Sequence, residues 1–182
     1  MINLEKGQRI NLNKADGSAL TAIKMGLGWD PARSGGSIDL DASCVMLSED
    51  KQVIDQVWFR QLKSRCGNVQ HSGDNLTGEG DGDDETIKVS LAGISADVKY
   101  LVFTVNSFRG QTFNEVARAG CQIYDDKGNV LAKYDLSEKG SNTGLIMVCV
   151  YRHNGAWKVN ALGYPTNGKI ASEMLADINQ VI

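Results

Sequence analysis

The residues best equipped for chemistry lie in one run, Gly73-Asp74-Asn75-Leu76-Thr77-Gly78-Glu79-Gly80-Asp81-Gly82-Asp83-Asp84-Glu85. Its last twelve residues hold six carboxylates and no Lys or Arg. Such a cluster repels itself, and gathering it without a counter-charge costs free energy on folding. Gly73, Gly78, Gly80 and Gly82 let the backbone take positive φ and curl tightly. Carboxylates and free carbonyls on a tight loop suit a hard cation with about six to eight oxygen ligands. Calcium fits this better than magnesium, which demands a small octahedral shell and keeps its waters.

A solvated acidic loop has the same composition. Two features favour a site. The run leads directly into a strand pattern, Thr86-Ile87-Lys88-Val89, which anchors its end. A second oxygen-rich element, Asp39-Leu40-Asp41-Ala42-Ser43, lies upstream. There Ile38, Leu40, Ala42, Cys44 and Met46 form one apolar face, so strand alternation puts Asp39 and Asp41 together on the other, roughly 7 Å apart. Val45 and Leu47 continue the aspartate face as apolar residues, which confines the polar patch to the first half of that strand. The loop is not an EF-hand. Counted from Asp39, Cys44 falls where the sharp-turn glycine belongs and Asp50 where the bidentate Glu belongs. Counted from Asp74, Leu76 takes the third position.

Other chemistry is thin. The chain has no G-x-S-x-G, no Walker lysine and no H-E-x-x-H. His71 is close enough to the acidic run to be considered as a base, and His153 precedes a turn. With only these two histidines and no C-x-x-C pair, a Cys/His zinc site has no support. Cys44, Cys121 and Cys149 sit in apolar runs and read as reduced, buried thiols, whereas Cys66 lies in a loop and is the one expected to be exposed.

The elements that must position these groups are short strands. Alternating runs recur at Ile10–Leu12, Ile23–Leu27, Ile38–Met46, Val53–Phe59, Ile87–Leu91, Leu101–Val105, Cys121–Tyr124, Val130–Leu136, Leu145–Tyr151 and Trp157–Leu162. Asp126-Lys127-Gly128-Asn129 and Asn154-Gly155 read as hairpin turns, the latter suited to type I′. Only Ile170, Met174, Leu175, Ile178 and Ile182 recur at helical spacing, with a short helical turn expected near Phe113–Val116. The expected fold is mainly β: a two-sheet antiparallel β-sandwich with a C-terminal helix, formed as one domain over residues 1–182.

Net charge is −3, yet the acidic run alone carries −6, leaving +3 on the rest. No basic tract interleaves with aromatics, so nucleic acid is not an expected partner. No apolar run reaches the roughly 18–20 residues needed to span a bilayer. The start Met1-Ile2-Asn3-Leu4-Glu5-Lys6 lacks the form of a secretory signal, and the expected compartment is the cytoplasm.

At these residues the sequence resembles the TerD family of tellurite-resistance and stress-response proteins. The likeness covers nearly the whole chain: Lys6–Leu12, Met25–Asp30, Asp39–Ser43, Tyr134–Ser137 and Tyr151–Lys158. Its most specific part is Gly73–Gly80 together with Gly82–Glu85. Ser107–Phe113 departs from the pattern, as a compact connection where some relatives carry a longer acidic loop. The resemblance implies a β-sandwich that holds two calcium ions in adjacent loops and has no catalytic activity. Asp74, Asn75, Asp83, Asp84 and Glu85 would supply side-chain ligands. Thr77, Gly78 and Gly80 would offer carbonyls, with Asp39, Asp41 and Asp30 as partners from neighbouring strands. It further implies a calcium-dependent interaction module working with other stress-response proteins, including a peripheral place at the inner membrane face. Two other readings stay open: an interaction or small-ligand protein with purely structural metals, and a metal-dependent phosphoester enzyme.

Overall fold

The computed structural model describes residues 1–14, 16–30, 38–76, 82–116, 118–136 and 140–182. Among them, twelve strands form two sheets of six. The first sheet runs, edge to edge, β1 (Ile2–Leu4), β10 (Val130–Asp135), β9 (Arg118–Tyr124), β3 (Ile23–Asp30), β7 (Glu85–Val89) and β6 (Val69–His71). The second runs β2 (Arg9–Asn11), β12 (Ala156–Thr166), β11 (Gly144–His153), β8 (Tyr100–Ser107), β4 (Leu40–Leu47) and β5 (Val53–Val57). The expected β-rich, two-sheet fold is what the chain adopts, with one departure: β1 pairs with β10 in parallel, while every other ladder is antiparallel.

Alternation explains the core. Met25, Leu27 and Trp29 of β3, Ile87 and Val89 of β7, and Cys121 and Ile123 of β9 turn inward from the first sheet. Leu40, Ala42, Cys44 and Met46 of β4 and Leu101, Phe103 and Val105 of β8 meet them from the second. Each large aliphatic or aromatic side chain so buried contributes about 1.5–3 kcal/mol.

A second apolar layer explains why Val45 and Leu47 break the polar character of their face. With Val102, Ile146 and Cys149 they pack under Ala171, Met174 and Ile178 of the C-terminal segment. That segment is a 3-10 turn, Ala171–Met174, running into α1 (Leu175–Val181). Lys51, in the β4–β5 turn, fastens its end by donating from Nζ to the carbonyls of Asn179 (2.8 Å) and Ile182 (2.7 Å). The helical turn expected near Phe113 is a 3-10 turn, Phe113–Glu115.

Both hairpins form as read. Asn154 and Gly155 take φ of 50° and 76° between β11 and β12, the positive pair a type I′ turn needs. Between β9 and β10 the Asp125 carboxylate accepts from the N–H groups of Lys127 (2.9 Å) and Asn129 (2.8 Å).

Candidate metal centre

The site grows from an unfinished edge. β4 pairs with β8 along its whole length, but its ladder to β5 begins only at Cys44↔Val57. The backbone of Ala42 therefore lacks a strand partner on that side and is served from the other sheet. Glu85, first residue of β7 and fully buried, accepts the Ala42 N–H at 2.7 Å. His71, last residue of β6, places Nε2 3.1 Å from the Ala42 carbonyl and 3.3 Å from Glu85 Oε2. The Gly73 N–H donates to His71 Nδ1 at 3.0 Å, which puts the ring proton on Nε2. Trp29 Nε1 donates to the Ile38 carbonyl at 3.0 Å and ties the approach to β4 against β3.

At this seam Asp39, Asp41 and Asp74 converge, each with a carboxylate oxygen within 4.8 Å of the others. Asp39 and Asp41 are each 5% exposed. Among the described residues, Asp39 Oδ1 and Asp41 Oδ2 have no hydrogen-bond partner. Buried acceptors of this kind are costly unless something binds them. Burial, reinforced by the charges of Glu85, Asp39 and Asp74, pushes the Asp41 carboxyl up to about 8. Burial and the Asp74 charge also raise Asp39, against the pull of Arg109, whose Nε lies 3.3 Å from Asp39 Oδ2. The donor set is all oxygen, strongly anionic and short of counter-charge, which fits a hard divalent ion.

The remaining residues expected at the site fall into three groups. Asn75, Asp84 and Glu85 surround the seam: Asn75 donates its N–H to Glu85 Oε1 (3.1 Å) and Nδ2 to Asp84 Oδ1 (3.2 Å). Asp84 Oδ2 accepts the Trp29 N–H at 2.8 Å, and burial raises its carboxyl despite that bond. Asp83 and Asp30 lie away from the Asp39–Asp41–Asp74 group, on the outer face of the first sheet. Asp83 sits above Gly26, 3.3 Å from Lys24 Nζ and 3.4 Å from Gln122 Nε2. Burial, with the bond and charge of Asp83, raises the Tyr124 hydroxyl there. Asp30 is exposed and pairs with Arg118 at 3.1 Å. Thr77, Gly78 and Gly80 lie outside the described residues.

A polar cavity of about 620 Å³ on the same outer face is lined by Asn3, Gly28, Asp30, Arg118, Gln122 and Lys133, among others. It does not include Asp39, Asp41 or Asp74. Sequence reasoning missed two participants. His71, considered above only as a base, caps a strand edge, and only its position two residues before the glycine that opens the acidic run hinted at a link. Arg109 gave no signal, because its pairing with Asp39 depends on how β8 ends.

The sequence model of the TerD domain matches residues 1–176. The tellurium resistance protein TerZ of Serratia marcescens is 49% identical over 188 residues, covering 98% of this chain and 97% of its own. The tellurium resistance protein TerD of Alcaligenes sp is 41% identical over 182 residues, with 94% of each chain covered. The stress response protein SCP2 of Bacillus subtilis (strain 168) is 40% identical over 186 residues, covering 91% of this chain and 93% of that one. Among solved structures, SCO6318 from Streptomyces coelicolor A3(2), described as a homologue of telluride resistance protein (TerD), superposes with a TM-score of 0.74. It is 19% identical and the match covers 86% of this chain and 96% of that one, a likeness of fold. With a full-length sequence match and close named relatives, the chain belongs to the TerD family of tellurium-resistance and stress-response proteins.

Proposed function

We propose that this protein is a calcium-binding, non-enzymatic interaction module of the bacterial stress response, acting in the cytoplasm with other proteins of the same system. The observation that carries the reading is the trio Asp39, Asp41 and Asp74, in which buried Asp39 and Asp41 each keep a carboxylate oxygen without a hydrogen-bond partner among the described residues. Those three side chains would hold one ion, with the flanking acidic run, through Asp84 and Glu85 and the carbonyls of Thr77, Gly78 and Gly80, as the source of further ligands and of a second site. Bound calcium supplies positive charge to a cluster that otherwise repels itself. The chain's own contribution is to fix the donors: Glu85 and His71 lock β4 against β6 and β7, and Asn75 links Asp84 to Glu85. His71 has both ring nitrogens engaged in that capping, which supports binding over acid–base chemistry.

The test is a calorimetric calcium titration of chelator-stripped protein, repeated in excess magnesium. Two sites that survive magnesium would agree with the reading. Absence of heat together with an unchanged melting temperature would overturn it. The position of the trio at the junction of the two sheets also suits a purely structural ion. Partner binding that persists after calcium is removed from still-folded protein would favour that role.

A further inference from the structure

Around the acid cluster stands a rim of opposite character. The connection between β5 and β6 begins Trp58-Phe59-Arg60-Gln61-Leu62-Lys63-Ser64-Arg65, with three cations, no acid and three large apolar side chains. It folds back on itself, Trp58 donating its N–H to the Gln61 carbonyl (3.1 Å) and Gln61 returning the bond (2.9 Å). Edge-on ring contacts join Trp58 to Phe59 (4.9 Å) and Phe59 to Phe108 (5.3 Å). Phe108 is 38% exposed, and its N–H donates to the Asp39 carbonyl at 3.2 Å, so the aromatic row ends on the cluster. Leu62, 43% exposed, accepts from the His71 N–H through its carbonyl. Leu76, 51% exposed, follows the Asn75 that binds Glu85. Half of the six large apolar side chains exposed among the described residues thus ring one site.

The cations are disposed outward. Arg60 lies over the rings of Trp58 (5.7 Å) and Phe59 (5.4 Å) and is exposed, as is Lys63. Arg65 pairs with Asp55. Arg109 holds Asp39, and an ion entering at Asp39 competes with it for that carboxylate.

We propose that this rim docks on an anionic lipid surface. Phe59, Phe108, Leu62 and Leu76 enter the headgroup region, while Arg60 and Lys63 meet lipid phosphates. The proposal rests on the calcium reading above, because a filled cluster removes the repulsion between Asp39, Asp41, Asp74 and those phosphates. Charge complementarity selects the partner: a basic, acid-free segment attracts an anionic surface, and each surface-proximal cation strengthens that attraction. Shape agrees with it. The apolar groups are loop tips, and none of them lines the cavity beside Asp30 and Arg118 or the one beside Lys24 and Tyr124; a fluid bilayer receives tips without a matching pocket. Trp and Arg, with one apolar and one polar end, suit the interfacial layer.

The experiment is co-sedimentation of the full chain with phosphatidylcholine vesicles, with and without phosphatidylglycerol, in calcium and in chelator. Calcium binding is followed by calorimetry on the same samples. The expected result is pelleting only with phosphatidylglycerol and calcium. Phe59→Ala with Phe108→Ala, and separately Arg60→Gln with Lys63→Gln, should each weaken pelleting by about tenfold. Both pairs should leave the calcium titration and the melting curve close to wild type. The charge pair lies on the surface and guards against a folding defect in the aromatic one. Wild type that binds calcium yet ignores both vesicle types overturns the lipid assignment alone and hands the rim to a protein partner. Variants that pellet like wild type also overturn it, and a chain that takes up no calcium overturns both readings.

Discussion

Asp41 is the residue at which the site's electrostatics can be read most directly. Its carboxyl is displaced from 3.8 to about 8 by burial first and by Glu85, Asp39 and Asp74 next. A raised carboxyl means that the folded state holds its proton more tightly than the unfolded chain. Its contribution to stability is therefore complete below about pH 4 and is lost as pH climbs through the folded value. In chelator, denaturant melts between pH 5 and 8 should show this loss, and Asp41→Asn should flatten it. Under the calcium reading proposed above, the ion needs the ionised form, so binding should release protons near neutrality and tighten toward pH 8. Titration in buffers of different ionisation enthalpy would detect the protons. The pairing of Asp39 and Asp41 on one face was legible from alternation alone. Their meeting with Asp74 was not, because it depends on how a loop from the other sheet crosses the seam.

At the level of elements, the incomplete β4–β5 ladder makes β6 and β7 responsible for an edge they do not belong to. His71→Ala would leave the Ala42 carbonyl and one face of Glu85 without a donor. A loss of about 1–3 kcal/mol is expected, or some 2–10 °C in melting temperature. Gly26 is the other exacting position: a Cβ there would occupy the space of the Asp83 carboxyl group. Gly26→Ala should expel Asp83 from Lys24 and Gln122 at a cost of about 1–3 kcal/mol in urea unfolding. Strand positions and both hairpins could be read from periodicity and turn residues, since those signals are local. The parallel pairing of β1 with β10 could not, because it joins segments more than a hundred residues apart in the chain (Ile2 opposite Ala132) and leaves no pattern in either. Nor could the point where β5 stops, although the whole capping arrangement follows from it.

For the molecule as a whole, the sandwich is held by its two apolar layers and, under the reading proposed above, by metal across the seam. An ion that binds only the native state stabilises it by about 2.7 kcal/mol at a hundredfold excess over Kd. Chelation should therefore lower the melting temperature by roughly 5–10 °C. The outer layer is separate. Met174, at the end of the 3-10 turn that leads into α1, is fully buried against the second sheet, and Met174→Ala should cost about 2–4 kcal/mol without changing the calcium affinity proposed for the seam. The placement of the four cysteines carries a further consequence. Burial raises the thiols of Cys44 and Cys149, and that of Cys121 to about 12. At exposed Cys66, partial burial is the largest single influence and raises the thiol, but hydrogen bonds with Ser64 and Asn68 together outweigh it and leave it below the usual value. A native chain should thus present a single fast equivalent to a thiol reagent, and four once denaturant opens it. As a sink for any sulfur-seeking oxyanion, the protein would saturate at one equivalent per 19.7 kDa of polypeptide, so protection of a cell by stoichiometric trapping would demand as much protein as poison.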